Sequence, residues 1–169
     1  MKYFLSRIYW KLFLLIKYCP YNYCSLLRIF LCKNLFKSLG RNCHITDGVT
    51  LSNPKNISFG QRVSVHQYSL LDASEEIIIG NNVGIGSHVS IITSSHNFND
   101  KNIQIKQQGI NSKKIIISDN VWIGTGVTIL QGVTIGKNSI IGAKSLVNKD
   151  IPENVIAFGV PCKVKINRA

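Results

Sequence analysis

The chain has 169 residues, 45% of them hydrophobic and 17% charged, and a net charge of +12. That length and apolar content suit one domain with its own core and exclude a disordered or low-complexity chain. Five cysteines with no Cys-x-x-Cys pair argue against a disulfide framework or a zinc site, and all five are expected as reduced, buried or lipid-adjacent thiols.

The charge is uneven. Residues 1–46 carry Lys2, Arg7, Lys11, Lys17, Arg28, Lys33, Lys37 and Arg41 and no acid. They hold +8, and the rest of the chain, with 12 basic and 8 acidic residues, holds +4. MKYFLSRIYWKLFLLIKYC predicts a first helix ended by Pro20, and YCSLLRIFLCKNLFKSLG a second with Gly40 as its C-cap. The longest uncharged run here is LFLLI, far short of the roughly 20 apolar residues that span a bilayer. No small-residue cleavage site follows, so a signal peptide is not expected either. Tyr3, Tyr9 and Trp10 are interleaved with basic residues. That mixture predicts that residues 1–40 form a helical segment in a membrane interface, on the inner face of the cytoplasmic membrane; packing on the body or on a partner subunit is the alternative. The charges are diluted among Leu, Ile and Phe, which excludes nucleic acid as the partner.

From residue 41 a different pattern takes over. Ile117, Ile123, Ile129, Ile135, Ile141 and Val147 follow one another in steps of six. Helices need steps of three and four, and ordinary strands steps of two. Position two of each hexad is often Gly, position four is polar, and position five is small or β-branched (Val121, Val127, Val133, Ser139, Ser145). The beat extends upstream through Ile45, Leu51, Ile57, then Phe59, Val65, Leu71, then Ile79, Ile85, Ile91, with two-residue slips between 57 and 59 and between 71 and 79. A period of six held over so many residues predicts an all-β solenoid with three flat faces per coil, its aliphatics inside and Gly, Asn or Lys at the corners.

One stretch breaks the beat. TSSHNFNDKNIQIKQQGINSKK, residues 93–114, is a polar excursion too long for a plain connection in a compact domain, and such loops are commonly functional. It presents His96 directly off a rigid coil. A neutral imidazole there suits a general base.

The hexad array, strongest in VWIGTGVTILQGVTIGKNSIIGAKSLVNKDIPENVIAFGVPCKVKI, closely resembles the hexapeptide-repeat acyltransferases. It is most similar to the galactoside, maltose and polysaccharide O-acetyltransferases. The resemblance covers residues 41–168. It implies a left-handed parallel β-helix, a homotrimer, and acetyl-CoA as co-substrate without a metal. It also implies direct transfer of acetyl to a sugar hydroxyl, with Thr93-Ser94-Ser95-His96 supplying the catalytic base. The backbone amide of Thr125 is implied as donor to the thioester oxygen. Gly142, Ala143, Asn148, Lys149 and Lys163 match coenzyme-contacting positions, although Lys144 stands where the family has Gly. His66, Asp72 and Trp122 are the implied acceptor contacts, and His66 departs from the Asn usual at its place.

His88 reads as a structural corner residue, and His44 has no assigned role. Three imidazoles around one metal is a strict demand, and His88 and His96 do not meet it. With the N-terminal segment at a membrane, the acceptor reads as a lipid-linked or growing surface glycan, as in O-antigen or capsule modification. N-acetylation of an amino sugar, acetylation of a small molecule, and a non-catalytic scaffold are the alternatives.

Overall fold

A computed structural model describes residues 2–168; the side chains at 2–6, Tyr3 among them, and at 21–23 lie outside the described residues. Two helices, α1 (Lys2–Ile16) and α2 (Tyr21–Leu35), precede a left-handed parallel β-solenoid of about six coils. Each coil crosses three faces. The first face stacks Ser38–Leu39, Ile57–Phe59, Ile77–Ile79, Ile115–Ile117 and Thr134–Ile135. The second stacks His44–Ile45, Ser64–Val65, Gly84–Ile85, Trp122–Ile123, Ile140–Ile141 and Val155–Phe158, and Lys163–Asn167 folds back antiparallel on the last of these. The third stacks Thr50–Ser52, Leu70–Asp72, Ser90–Ile92, Thr128–Ile129 and Leu146–Val147.

The beat of six is the width of one face. Ile45, Val65, Ile85, Ile123 and Ile141 lie in one parallel register. Their side chains, like those of Leu71, Ile91, Ile117, Ile129, Ile135 and Val147, are buried inside the prism. Position five fills the corners from within, and where it is a serine the hydroxyl is satisfied: Ser139 donates to Pro152 O at 2.8 Å and Ser145 to Gly142 O at 2.6 Å.

Position four of the hexad has a reason of its own: it is left-handed at the corners. Along the edge between the first and second faces Asn42, Asn82, Asn120, Asn138 and Asn154 all have φ of 56–58°, a region in which Asn is the best tolerated residue after Gly. Asn120 donates to Asn138 and Asn138 to Asn154, at 2.9 and 2.8 Å, so this asparagine edge is also a side-chain ladder. Between the second and third faces the same position holds Gly48, Tyr68, His88, Gly126 and Lys144; this is the glycine edge. Position-two glycines answer a different need. A Cβ on Gly124 would stand 2.6 Å from Ala143 N, so close coil stacking excludes one.

The slips all fall on the third edge, between the third and first faces. There the first coils are widened by two residues, through Pro54–Asn56 after Ser52 and through the turn after Asp72. The third coil carries the excursion at the same place. It is ordered as a β-hairpin of Ser94–His96 and Ile110–Ser112, closed by Gln108, whose amide donates to Asp100 O and Ile103 O at 2.7 and 2.8 Å. This is the hairpin edge.

The helices close the open end of the prism. Phe13, Leu31, Cys32, Leu35 and Phe36 are buried with the first coil, and the Phe36 ring meets Phe59 edge-on at 5.0 Å. A terminal coil left uncapped would expose its apolar interior. Two expectations need correction here. α2 ends at Leu35 with Phe36 extended as its C-cap, so Gly40 is not the cap; the strand Ser38–Leu39 already pairs with Ser58–Phe59. Gly40 serves coil stacking, since a Cβ there would overlap Gly60 O at 2.2 Å. Nor are all cysteines thiols. Pro20 caps the start of α2 and turns the chain back, bringing Cys19 and Cys24 within 6.0 Å (Cα–Cα), where they are disulfide-bonded. Cys32, Cys43 and Cys162 are free and buried.

Candidate active site

The predicted residues divide between two edges of the prism. His66, Thr125, Gly142, Ala143 and the tail bearing Lys163 lie on the glycine edge, with Trp122 on the second face beside it. His96, Asp72, Asn148 and Lys149 lie on the hairpin edge. The third face separates them, a width of about five residues or ~16 Å. One chain therefore does not bring His96 and Thr125 together.

On the glycine edge a cavity of about 230 Å³ joins His66, Trp122 and Thr125 with Gly84, Gly86 and Ser87. Trp122 is 60% exposed and lies over Gly84, whose Cβ would meet the indole at 3.6 Å. As at the same corner of the neighbouring coils, the N–H groups on either side of the central residue are paired. Gly124 N–H donates to Ile141 O at 2.8 Å and Gly126 N–H to Ser87 O at 2.9 Å. Among the described residues, no acceptor pairs with Thr125 N–H. It is thus a fixed, outward donor of the kind that stabilises charge on an acyl oxygen. As at Gly124, close coil stacking excludes a Cβ on Gly86, which would sit 2.8 Å from Thr125 N and force that backbone to shift. Composition marked Gly86 only as one more position-two glycine, so its bearing on Thr125 was not legible.

Further along this edge Gly142 leaves room for Phe158, 2.7 Å from where its Cβ would be, and Ala143 is exposed. Lys144 has φ of 59° and folds back over Gly126. At the end, Phe158, Gly159, Val160, Pro161, Lys163 and Lys165 surround a cavity of about 330 Å³, with Lys165 over the Phe158 ring at 5.6 Å. Small residues beside the chain and lysines at its end fit a long ligand with a slender arm and phosphates.

On the hairpin edge His96 is exposed and opposite Ile110 in the hairpin. Two residues hold it there: Thr93, which the sequence offered only as the start of the His96 element, and Gln131, which sequence reasoning passed over. Thr93 is fully buried; its hydroxyl donates to Asp72 O and accepts from Glu75 N–H, both at 2.9 Å. Gln131, from the next coil, donates to Ser95 Oγ at 2.6 Å. Asp72 lies below the hairpin root, in register with Ile92. Asn148 and Lys149 are exposed on the same edge, away from Gly142 and Ala143. His88 occupies a left-handed corner, stacked on Tyr68 at 5.3 Å. His44 begins the second face. Among the described residues no cluster of three His, Cys, Asp or Glu could hold a metal.

Residues 114–149 match the family model for bacterial transferase hexapeptide (six repeats). The chain is 42% identical over 137 residues to the galactoside O-acetyltransferase of Lactococcus lactis, covering 80% of this chain and 65% of that protein. It is 33% identical over 115 residues to a putative lipopolysaccharide biosynthesis O-acetyl transferase of Escherichia coli, covering 64% and 59%. The chain therefore spans less than two thirds of these curated relatives. A galactoside acetyltransferase solved in complex with coenzyme A superposes with a TM-score of 0.85 at 32% identity, over 97% of this chain and 81% of that one. By repeat, coil geometry and this extended similarity, the chain belongs to the hexapeptide-repeat acetyltransferases.

Proposed function

We propose that the protein transfers acetyl from acetyl-CoA to a sugar hydroxyl, with His96 as general base and Thr125 N–H as the oxyanion donor. The observation that carries this reading is the unpaired Thr125 N–H in a cavity shared with His66 and Trp122. Bound acetyl-CoA supplies an acyl thioester. His96 accepts the proton of the attacking hydroxyl as the new ester bond forms, and returns it to the sulfur as the thioester C–S bond breaks and CoA leaves as the free thiol. Thr125 N–H donates to the carbonyl oxygen as charge gathers there. His66, Asp72 and Trp122 orient the sugar. Gly142, Ala143, Asn148, Lys149 and Lys163 hold the coenzyme, the lysines on its phosphates.

The two edges work together only if a second copy supplies the missing one, so the working form is a homotrimer with an active site at each seam. Phe98, Ile103, Ile105 and Ile110 support this: all four are exposed on the hairpin, an apolar surface suited to a neighbouring subunit. The acceptor belongs to surface polysaccharide, in line with the lipopolysaccharide relative. Among the described residues no helix is long and apolar enough to cross a membrane. The helical segment instead lies on the cytoplasmic face of a membrane. Its outer side carries Ile8, Leu12 and Leu15 on α1 and Leu26 and Phe30 on α2, each spaced along one helix face and exposed, Leu15 and Leu26 by 80% and 82%.

Thiol release from acetyl-CoA tests the chemistry. Purified protein with a panel of sugars and lipid-linked glycans is expected to release thiol only with a matching acceptor. His96→Ala is expected to lose roughly 10²- to 10⁴-fold in kcat. Undiminished turnover in that variant would refute His96 as base.

A further inference from the structure

A second cavity lies apart from the cleft of Thr125. It measures about 450 Å³ and sits where α1 meets the first coil, between Arg7, Trp10, Leu35, Leu51, Pro54 and Lys55. That volume suits a small-molecule ligand. Trp10, Leu35, Leu51 and Pro54 form an apolar wall, with Leu35 and Leu51 buried and the Trp10 ring stacked on Phe13 at 5.8 Å, and the neutral polar Ser52 and Asn53 complete the lining. Its two charged residues are both cations, and among the described residues neither Arg7 nor Lys55 has an acidic partner. Apolar walls with cations of one sign select a ligand that is apolar at one end and anionic at the other.

The position of this cavity gives it a relation to the proposed catalytic base. Ser52 also lines it. Ser52 pairs in register with Asp72, and Asp72 with Ile92, four residues before His96. The cavity therefore lies on the hairpin edge, two strand spacings or roughly 10 Å below the root of the His96 hairpin. It also lies beneath the helix whose outer side bears the exposed apolar residues.

We infer that this cavity holds the phosphate-bearing end of a lipid-borne acceptor, an alkyl or isoprenoid phosphate. The chain lies against Trp10, Leu35, Leu51 and Pro54, and the phosphate is bound by Arg7 and Lys55. The glycan then runs up the hairpin edge past Asp72 to His96. This names the acceptor class for the acetyl transfer proposed above and rests on that reading for its function, although the binding does not require it.

The test uses decyl phosphate below its micelle concentration, with the full chain carrying Trp122→Phe so that Trp10 is the sole tryptophan. Saturable binding is expected to shift Trp10 fluorescence to the blue. In Arg7→Gln/Lys55→Gln it should weaken roughly tenfold or more, as charged contacts to phosphate are lost. Inorganic phosphate and decyl maltoside should not produce the shift. Equal affinity in the double variant, or an equal response to the neutral glycoside, would mean general apolar uptake and overturn the proposal. A response to inorganic phosphate alone would mean a free-anion site and overturn it too. Circular dichroism confirms that the variants fold. Adding His96→Ala should leave binding unchanged, so failure of the catalytic reading and failure of this site give different results. With Trp122 intact, acetylation of a soluble sugar by Arg7→Gln/Lys55→Gln should stay at the wild-type rate, while KM for a lipid-linked acceptor rises.

Discussion

Gly86 matters through the room it leaves for the backbone of the next coil. A methyl group there would press on Thr125 N and on the backbone of Gly124. Gly86→Ala is expected to lower kcat by roughly 10²-fold, the effect of losing an oxyanion donor, with the coil still folded by circular dichroism. Wild-type kcat in Gly86→Ala would remove Thr125 N–H from the chemistry. The acid Asp119 shows how a corner residue sets pH dependence. Asn81 donates to it from the backbone N–H at 2.7 Å and from the side chain at 3.1 Å, and these bonds hold its carboxyl below the ordinary carboxylate range. A depressed pKa contributes stability above the unfolded value, near 4, and loses it as pH falls through the folded one. Asp119→Asn should therefore lower the Tm at pH 7, and the gap to wild type should close as pH falls below about 4. The buried thiols behave differently. Burial pushes Cys32, Cys43 and Cys162 up from the ordinary thiol value, so they should resist alkylation in the native protein and react on unfolding.

At the scale of elements, the hairpin and the helical cap are both held by polar groups inside apolar packing. Thr93 pins the hairpin root, and as a positioning residue it should act on His96 rather than on the coenzyme. Thr93→Val is expected to lower kcat about tenfold while KM for acetyl-CoA stays unchanged; a matched change in both would indicate general loosening. The cap is tied by Arg28, which is fully buried and donates to the Ile16 and Cys19 carbonyls at the end of α1. Desolvation lowers its pKa, and two of its nitrogens, Nε and Nη1, have no acceptor. Truncation to Ala orphans both carbonyls and leaves a cavity, a cost of about 2–4 kcal/mol measurable by denaturant unfolding. The outer side of the same helices gives a separate prediction. The protein should float with anionic vesicles, and Leu15→Ser/Leu26→Ser should remain in the soluble fraction. If the double variant floats as well, the segment is not the membrane contact.

At the scale of the molecule, a division of the site between two edges has a consequence that one chain cannot show. If each site takes the hairpin edge of one subunit and the glycine edge of the next, two inactive variants can restore each other. His96→Ala and Gly86→Ala, unfolded together and refolded as mixed trimers, should regain activity in about a quarter of the sites. His96→Ala mixed with Thr93→Val carries both lesions on one edge and should regain none by that route. Absence of recovery in the first mixture would place the whole site within one chain. The rigidity of the prism makes this division possible, because buried aliphatics in every coil keep the two edges at a constant separation along its length.

The sequence by itself determined the coil. A step of six from Ile117 to Val147 matches one face width, and the asparagines of position four match a left-handed corner, because both patterns are local and repeat. The broken period also placed His96 on an excursion, which can be read without knowing what lies opposite, whereas Thr125 was picked out only by the resemblance to the family. Tertiary structure decided what depends on neighbours in space. Gly40 carried a helix-cap signal, but the approach of Gly60 made it a coil residue. Cys19 and Cys24 looked like independent thiols until the turn at Pro20 set them together. The placement of Thr125 N–H depends on Gly86 in the preceding coil, and the hold on the hairpin on Gln131 in the following one. Separations of about 38 residues along the chain become contact distances only once the coils stack, and no local pattern records which groups that stacking leaves unpaired.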